Sequence, residues 1–161
     1  MHAELITQET VDRLVESAGA SPRRRLNLNF HHDHEEPCHR LLNAVEPSSY
    51  VRPHRHAAST KDETAITVRG AFGVVVFDDQ GRVTERLTMT AGGEAFGITI
   101  PHGVYHTFMA LEPGSVFFEA KAGPFRPLTE EEIAPWSPPA DDPAAETYWR
   151  ELREQCFPDS M

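Results

Sequence analysis

Three histidines and a glutamate are the residues of this chain best suited to chemistry. His54 and His56 flank Arg55, Glu63 follows after a short loop, and His106 closes the later stretch Pro101-His102-Gly103-Val104-Tyr105-His106. Two histidines two apart on an extended segment point their rings to the same side, because side chains alternate faces with period two. Glu63 and the sequence-distant His106 complete a mixed nitrogen and oxygen set able to hold one divalent metal ion. Three imidazoles plus one carboxylate suit iron, zinc, nickel, manganese or copper, and the ligand types alone do not choose among them. Asp62 is the nearest competitor for the carboxylate position.

Such a set needs a scaffold that brings distant segments together. The pattern along the chain is helix, strands, helix. Thr7 is placed as an N-cap, and Val11, Leu14, Val15 and Ala18 recur at helical spacing before Gly19 closes the segment. From Leu26 onward short extended runs alternate with turns. The segment from Ala65 to Phe77 is rich in Val, Ile and Phe and contains Gly70 and Gly73, as expected where strands bend. Asp78-Asp79-Gln80-Gly81 reads as a hairpin turn, and Arg82 to Thr90 alternates, with Val83, Leu87 and Met89 on one face. Gly92-Gly93, Pro101-His102-Gly103 and Glu112-Pro113-Gly114 mark further turns around Ala95–Ile100, Val104–Leu111 and Ser115–Ala120. Many short strands without intervening helices predict an all-β sandwich or closed barrel. Beyond Phe125, Thr129-Glu130-Glu131-Glu132 fits a capping box on a short helical turn, and Pro135 to Pro143 is a proline-rich connector. Asp142-Pro143 offers a helix start, after which Tyr148, Leu152 and Cys156 repeat every four residues. This terminal helix is expected to pack on the outside of the barrel or on a second subunit, with Trp149 as a packing residue. The resulting division is residues 1–25 for the N-terminal helix and lead-in, 26–125 for the barrel, and 126–161 for the connector and C-terminal helix.

The punctuation carries a resemblance. The run from His54 to Gly70 resembles the first cupin motif: His-x-His, a glutamate, then a glycine. Pro101-x-Gly103-x-x-His106 resembles the second, with its proline, glycine and metal-binding histidine. The loop between His56 and Glu63 is longer than the common cupin spacing. A narrower resemblance runs through Arg23-Arg24-Arg25-x-Asn27-x-Asn29-Phe30-His31, Tyr50 to His56, Phe77-Asp78-Asp79-x-Gly81 and Glu119-x-Lys121-x-Gly123-Pro124-Phe125. These segments are similar to the WbuC-type cupin metalloproteins, which are encountered among bacterial polysaccharide clusters and have no settled reaction. The resemblance implies a single cupin (jelly-roll) β-barrel with short flanking N- and C-terminal helices. It also implies one divalent metal ion at His54, His56, Glu63 and His106, and a homodimer.

Composition narrows the function from another side. The chain has 161 residues and a formal net charge of −10, which disfavours nucleic acid, whose phosphates require a basic face. The two cysteines, Cys38 and Cys156, form no paired spacing that would indicate a disulfide framework or zinc knuckle. No apolar run approaches the length of a membrane span and the first residues lack a signal-peptide pattern, so a cytoplasmic protein is expected. Against the acidic whole, Arg23, Arg24, Arg25, Arg40, Arg52, Arg55 and Lys61 gather around the metal motif. Cations placed beside a metal ion imply an intervening anion, and arginine's planar fork suits a carboxylate or phosphate. Arg52 and Arg55 have opposite parity on a regular strand and cannot both face inward with His54 and His56. Arg24, Arg40 and Lys61 are therefore the expected substrate-binding residues. Tyr50, Tyr105 and His31 are the candidate acid/base groups. In the cluster His31-His32-Asp33-His34 with His39, adjacent residues point to opposite faces; the cluster reads mostly as a solvated loop, with His31 the one member that could reach the pocket. The function that follows is a metal-binding protein acting on a small anionic sugar- or carboxylate-type molecule. Zinc or nickel favours aldose–ketose isomerisation or epimerisation beside a carbonyl, and iron(II) favours dioxygenase chemistry. The alternative is a non-catalytic, metal-dependent small-molecule binder that regulates a partner.

Overall fold

The computed structural model describes residues 3–160. Two antiparallel sheets face each other in a cupin jelly roll, flanked by one helix at each end of the chain. Helix α1 (Gln8–Ala20) precedes β1 (Arg25–Asn29), β2 (Cys38–Val45), β3 (Glu63–Arg69) and β4 (Ala71–Phe77). There follow β5 (Val83–Thr90), β6 (Gly97–Ile100), β7 (Tyr105–Ala110), β8 (Ser115–Ala122) and α2 (Ala144–Cys156). The larger sheet has the order β1-β2-β8-β3-β6 and the smaller β5-β4-β7. His54 lengthens the smaller sheet by an isolated bridge to His106 on β7, with amide–carbonyl bonds of 3.1 and 2.9 Å in the two directions.

Local signals explain most boundaries. The Thr7 hydroxyl accepts the Thr10 amide and caps α1, which runs one residue past Gly19 to Ala20. Gly70 and Gly81 adopt φ values of 69° and 82°, which only glycine takes without strain, and so permit the β3–β4 and β4–β5 turns. The Asp78 carboxylate steadies the second of these by accepting the Gln80 and Arg82 amides. On β5, Met89 packs inward as the alternation predicts, whereas Val83, beside a register shift at Val76/Phe77, packs on the outer cluster against α2 and Leu87 is exposed on this sheet-edge strand. At Thr129 the capping-box contact forms, with Glu132 accepting the Thr129 amide, but the segment makes a turn rather than a helix. Asp142 accepts the Ala144 amide at the start of α2, behind Pro143 in helical geometry.

Three apolar clusters set the layers. Between the sheets lie Val45, Ala65, Phe72, Val74, Met89, Ile100, Phe108 and Phe117. Val11, Leu14 and Ala18 of α1 pack on Leu42, Ala44 and Val116, on the outer face of the larger sheet. Trp149, Leu152 and Cys156 of α2 pack on Val75, Phe77, Tyr105 and Met109, outside the smaller one. The terminal helix thus covers its own barrel, and Trp149 is a packing residue whose indole donates to the Pro47 carbonyl. No helix among the described residues is long and apolar enough to cross a membrane.

The outer seam against α2 gives a test of packing. A Cβ on Gly73 of β4 would stand 2.3 Å from the Phe157 ring, which is buried at the end of α2. Gly73→Ala must displace that ring. It should cost about 2 kcal/mol, read as a fall in Tm, while metal content stays unchanged. An unaltered Tm would mean that the C-terminal segment does not sit on β4 as described.

Candidate metal centre and cavity

The interior changes polarity at one level of the barrel. On β3 the inward sequence is Glu63 then Ala65; on β7 it is His106 then Phe108; on β8 it is Phe117 then Glu119 and Lys121. Strand register aligns these changes, since Glu63 pairs with both Ile100 and Lys121, and His39 also pairs with Lys121. One half of the barrel is therefore an apolar core and the other a polar chamber. Polar groups at strand positions that normally bury apolar side chains are costly unless they are partnered or bind something.

His54, His56 and His106 converge in that chamber, with one ligand atom from each within 4.8 Å of the others. The segment carrying His54 and His56 is extended beside β7, so both rings face inward as their spacing predicts. His54 Nδ1 lies 3.0 Å from the Arg52 carbonyl and His106 Nδ1 lies 2.9 Å from that of Val104. A carbonyl only accepts, so both rings are protonated at Nδ1 and present the Nε2 lone pair. This is the orientation that second-layer hydrogen bonds impose on metal-ligating imidazoles. His106 is 1% exposed and its Nε2 has no hydrogen-bond partner among the described residues, an orphaned acceptor that a cation would satisfy. The donor set fits a divalent ion.

Glu63, 4% exposed, places Oε2 2.9 Å from His56 Nε2. It stands against the histidine triangle through His56. Lys121 Nζ lies 3.8 Å from the same oxygen and forms a closer ion pair with Glu119, whose other oxygen accepts from Asn43 at 2.8 Å. Burial works to raise the Glu63 pKa, but the His56 hydrogen bond and the Lys121 charge outweigh it and keep the carboxylate ionised. Burial and the neighbouring Glu63 charge raise Glu119 instead. Burial also drives His54 down to about 3 and lowers His106, so both are neutral, the form in which imidazole ligates.

These shifts set a pH dependence. Below about 6.5 the unfolded chain takes up protons at both histidines that the folded chain refuses, so stability falls with pH across the window from there toward 3. Glu63, also depressed, acts in the same direction below its ordinary value. Chelator-treated protein should lose about 2 kcal/mol or more between pH 7 and 5, seen as a lower Tm. A Tm that holds or rises would contradict the neutral buried histidines.

A cavity of about 580 Å³ opens above the histidines. His39, His54, His56, Lys61 and Lys121 line it, roofed by the segment from Gly123 to Thr129. Lys61 is the substrate-binding candidate that the structure places here; its Nζ donates to the Pro124 carbonyl. Arg40 does not join it. Its inward neighbours on β2 are His39 and Leu41, while Arg40 itself pairs with Glu36. Arg24 sits at the end of α1 with φ 55° and donates to the Gly19 carbonyl. Arg52 and Arg55 bind the Ser137 and Glu131 carbonyls.

The tyrosines are also elsewhere. Tyr50 packs edge-on to Tyr148 and Trp149 under α2, donates to the Pro138 carbonyl, and is pushed up to about 12 by burial. Tyr105 lies on the face of β7 opposite His106, donating to the Glu131 carbonyl beneath the Arg55 guanidinium. His31 is buried, with Nδ1 held at the Arg40 backbone and its ring stacked on His39 at 4.0 Å. It thus reaches the polar chamber through His39, while His32, Asp33 and His34 are exposed. The residues that spacing did not single out are His39, Lys121 and Glu119. Alternation along Phe117, Glu119 and Lys121 was the available signal.

Comparison with known proteins agrees with this architecture. KdgF from Halomonas sp. superposes with a TM-score of 0.50 at 21% identity, over 66% of this chain and 84% of that one. TT1209 from Thermus thermophilus gives 0.55 at 15% identity, over 75% and 98%. The conserved SPY1581 protein of unknown function from Streptococcus pyogenes gives 0.52 at 11%, over 78% and 92%. At these identities the likeness is one of fold. No curated protein matches the chain. Residues 6–89 match the family model described as "Domain of unknown function (DUF6016)", a span that holds His54, His56 and Glu63. Since that match covers just over half of the sequence, this cupin-fold chain belongs to the DUF6016 family.

Proposed function

We propose that the protein is a divalent-metal-dependent enzyme, of WbuC type, acting on a small anionic sugar- or carboxylate-type molecule. The observation that carries this reading is the convergence of His54, His56 and His106 beneath a cavity, with the His106 acceptor left without a partner among the described residues. His54, His56 and His106 hold the ion, and Glu63, released from His56, is the carboxylate that completes the set. The metal supplies polarisation of a substrate oxygen if it is zinc, nickel or manganese, and oxygen activation if it is iron(II). The residues around it divide the remaining work. Lys61 meets the anionic group of the substrate at the cavity wall, and no carboxylate lies in ion-pair range of it among the described residues. The roof from Gly123 to Thr129 limits water.

The test is turnover of uronates, keto acids and phosphorylated sugars by protein loaded in turn with zinc, manganese, nickel and iron(II). Isomerisation, epimerisation or oxygen consumption that disappears in a folded His106→Ala variant supports an enzyme. Saturable binding with no turnover across all panels would replace that reading with a non-catalytic binder.

A further inference from the structure

A second cavity, of about 260 Å³, adjoins the first on the inner face of β1 and β2. The two share His39, Lys121 and Phe125 as a common wall. Its floor is made of Asn27, Asn29 and Asn43, with His31 at the side. Asn27 faces Asn43 in the β1–β2 register, and Asn27 and Asn29 share a strand face, so the three amides line one surface. Asn27 donates to Asn29 at 2.7 Å, which leaves one amide oxygen and one amide NH₂ facing outward side by side. His39 is 3% exposed, and its Nε2 has no hydrogen-bond partner among the described residues. Phe125, 47% exposed and tilted against His34 at 4.9 Å, presents an aromatic face at the rim.

Asn27 and Asn29 share the sheet face of His39 and Asn43 but stand on the edge strand β1, where they are exposed and open to a ligand. A row of amides there offers alternating donors and acceptors without net charge, while the local charges of Lys121 and Glu119 are already paired. Vicinal hydroxyls match that pattern, since each both donates and accepts. The apolar face of a pyranose ring suits an exposed phenyl. Resting on the reading given above, we propose that this groove is a second sugar subsite. The substrate is then an acidic saccharide of at least two units. Its acid-bearing unit lies at the histidine cavity and a neutral, hydroxyl-rich unit lies on the asparagine floor.

The experiment is calorimetric titration of the zinc-loaded protein with glucuronic acid and with aldobiouronic acids joining glucuronate to glucose, galactose or mannose. Metal content is read in parallel. At least one disaccharide should bind about tenfold or more tighter than glucuronic acid. The Asn27→Ala/Asn29→Ala variant, altered at exposed positions, should erase that gain, and Phe125→Ala should reduce it. Disaccharides that bind no tighter than the uronate, or equally well in all three proteins, overturn the subsite. So does an absence of binding by every probe to protein that holds its metal. Selective disaccharide binding by protein that takes up no zinc would uphold the groove and remove the metal-dependent reading instead.

Discussion

Lys121→Met should destabilise the protein by about 3 kcal/mol at pH 7, because it strips two buried carboxylates of their shared cation. Lys121 is held between Glu119 and Glu63, and its own pKa is raised by both although burial works against it. Without it, Glu119 is the group that takes up a proton, since burial and the Glu63 charge already raise it. The loss should therefore shrink as the pH is lowered toward 5. Glu119→Gln in the Lys121→Met background should restore part of the stability by leaving one carboxylate instead of two. For a domain of this length about 3 kcal/mol corresponds to a Tm roughly 6–12 °C lower. Thermal melts of the three proteins at pH 7 and 5 provide the check. A single variant as stable as the parent would mean that the lysine does not sit between the two glutamates.

Chelation should lower Tm by roughly 8–16 °C under conditions where free metal stands near a thousand times its Kd. At that ratio, binding to the native state alone contributes about 4 kcal/mol. His106→Ala should melt below the chelated parent and become insensitive to added metal, because it removes the orphaned acceptor itself. Part of its effect comes from the cavity left by a side chain packed against Phe108 and His54. His106→Gln, which keeps more of the volume, separates that packing loss from the metal. A parent protein whose Tm is the same with chelator and with added metal would contradict a built centre.

Much of this was legible in the sequence, and what was hidden has a physical cause. The helix at Thr7, the turn at Asp78 to Gly81 and the three converging histidines rest on local chemistry: a capping hydroxyl, a glycine φ and side-chain alternation. Alternation marks Glu119 and Lys121 as inward, but their role depends on β8 lying between β2 and β3, a non-local pairing that no short window contains. Tyr50 shares parity with His54, but the segment between them is not a regular strand, and the ring turns outward under α2. Tyr105 and Arg40 lie next to inward residues in sequence and therefore on the opposite strand face. Nearness along the chain misled there, where alternation would have decided correctly.

The most direct measurement is metal content by plasma mass spectrometry on tag-free protein prepared without chelators or a nickel column. The predicted result is close to one equivalent of a single divalent metal per chain, lost in His54→Ala and His106→Ala while both remain folded. Protein that carries no metal and takes none up on titration, or variants that keep the parent's full complement, would contradict the three-histidine centre.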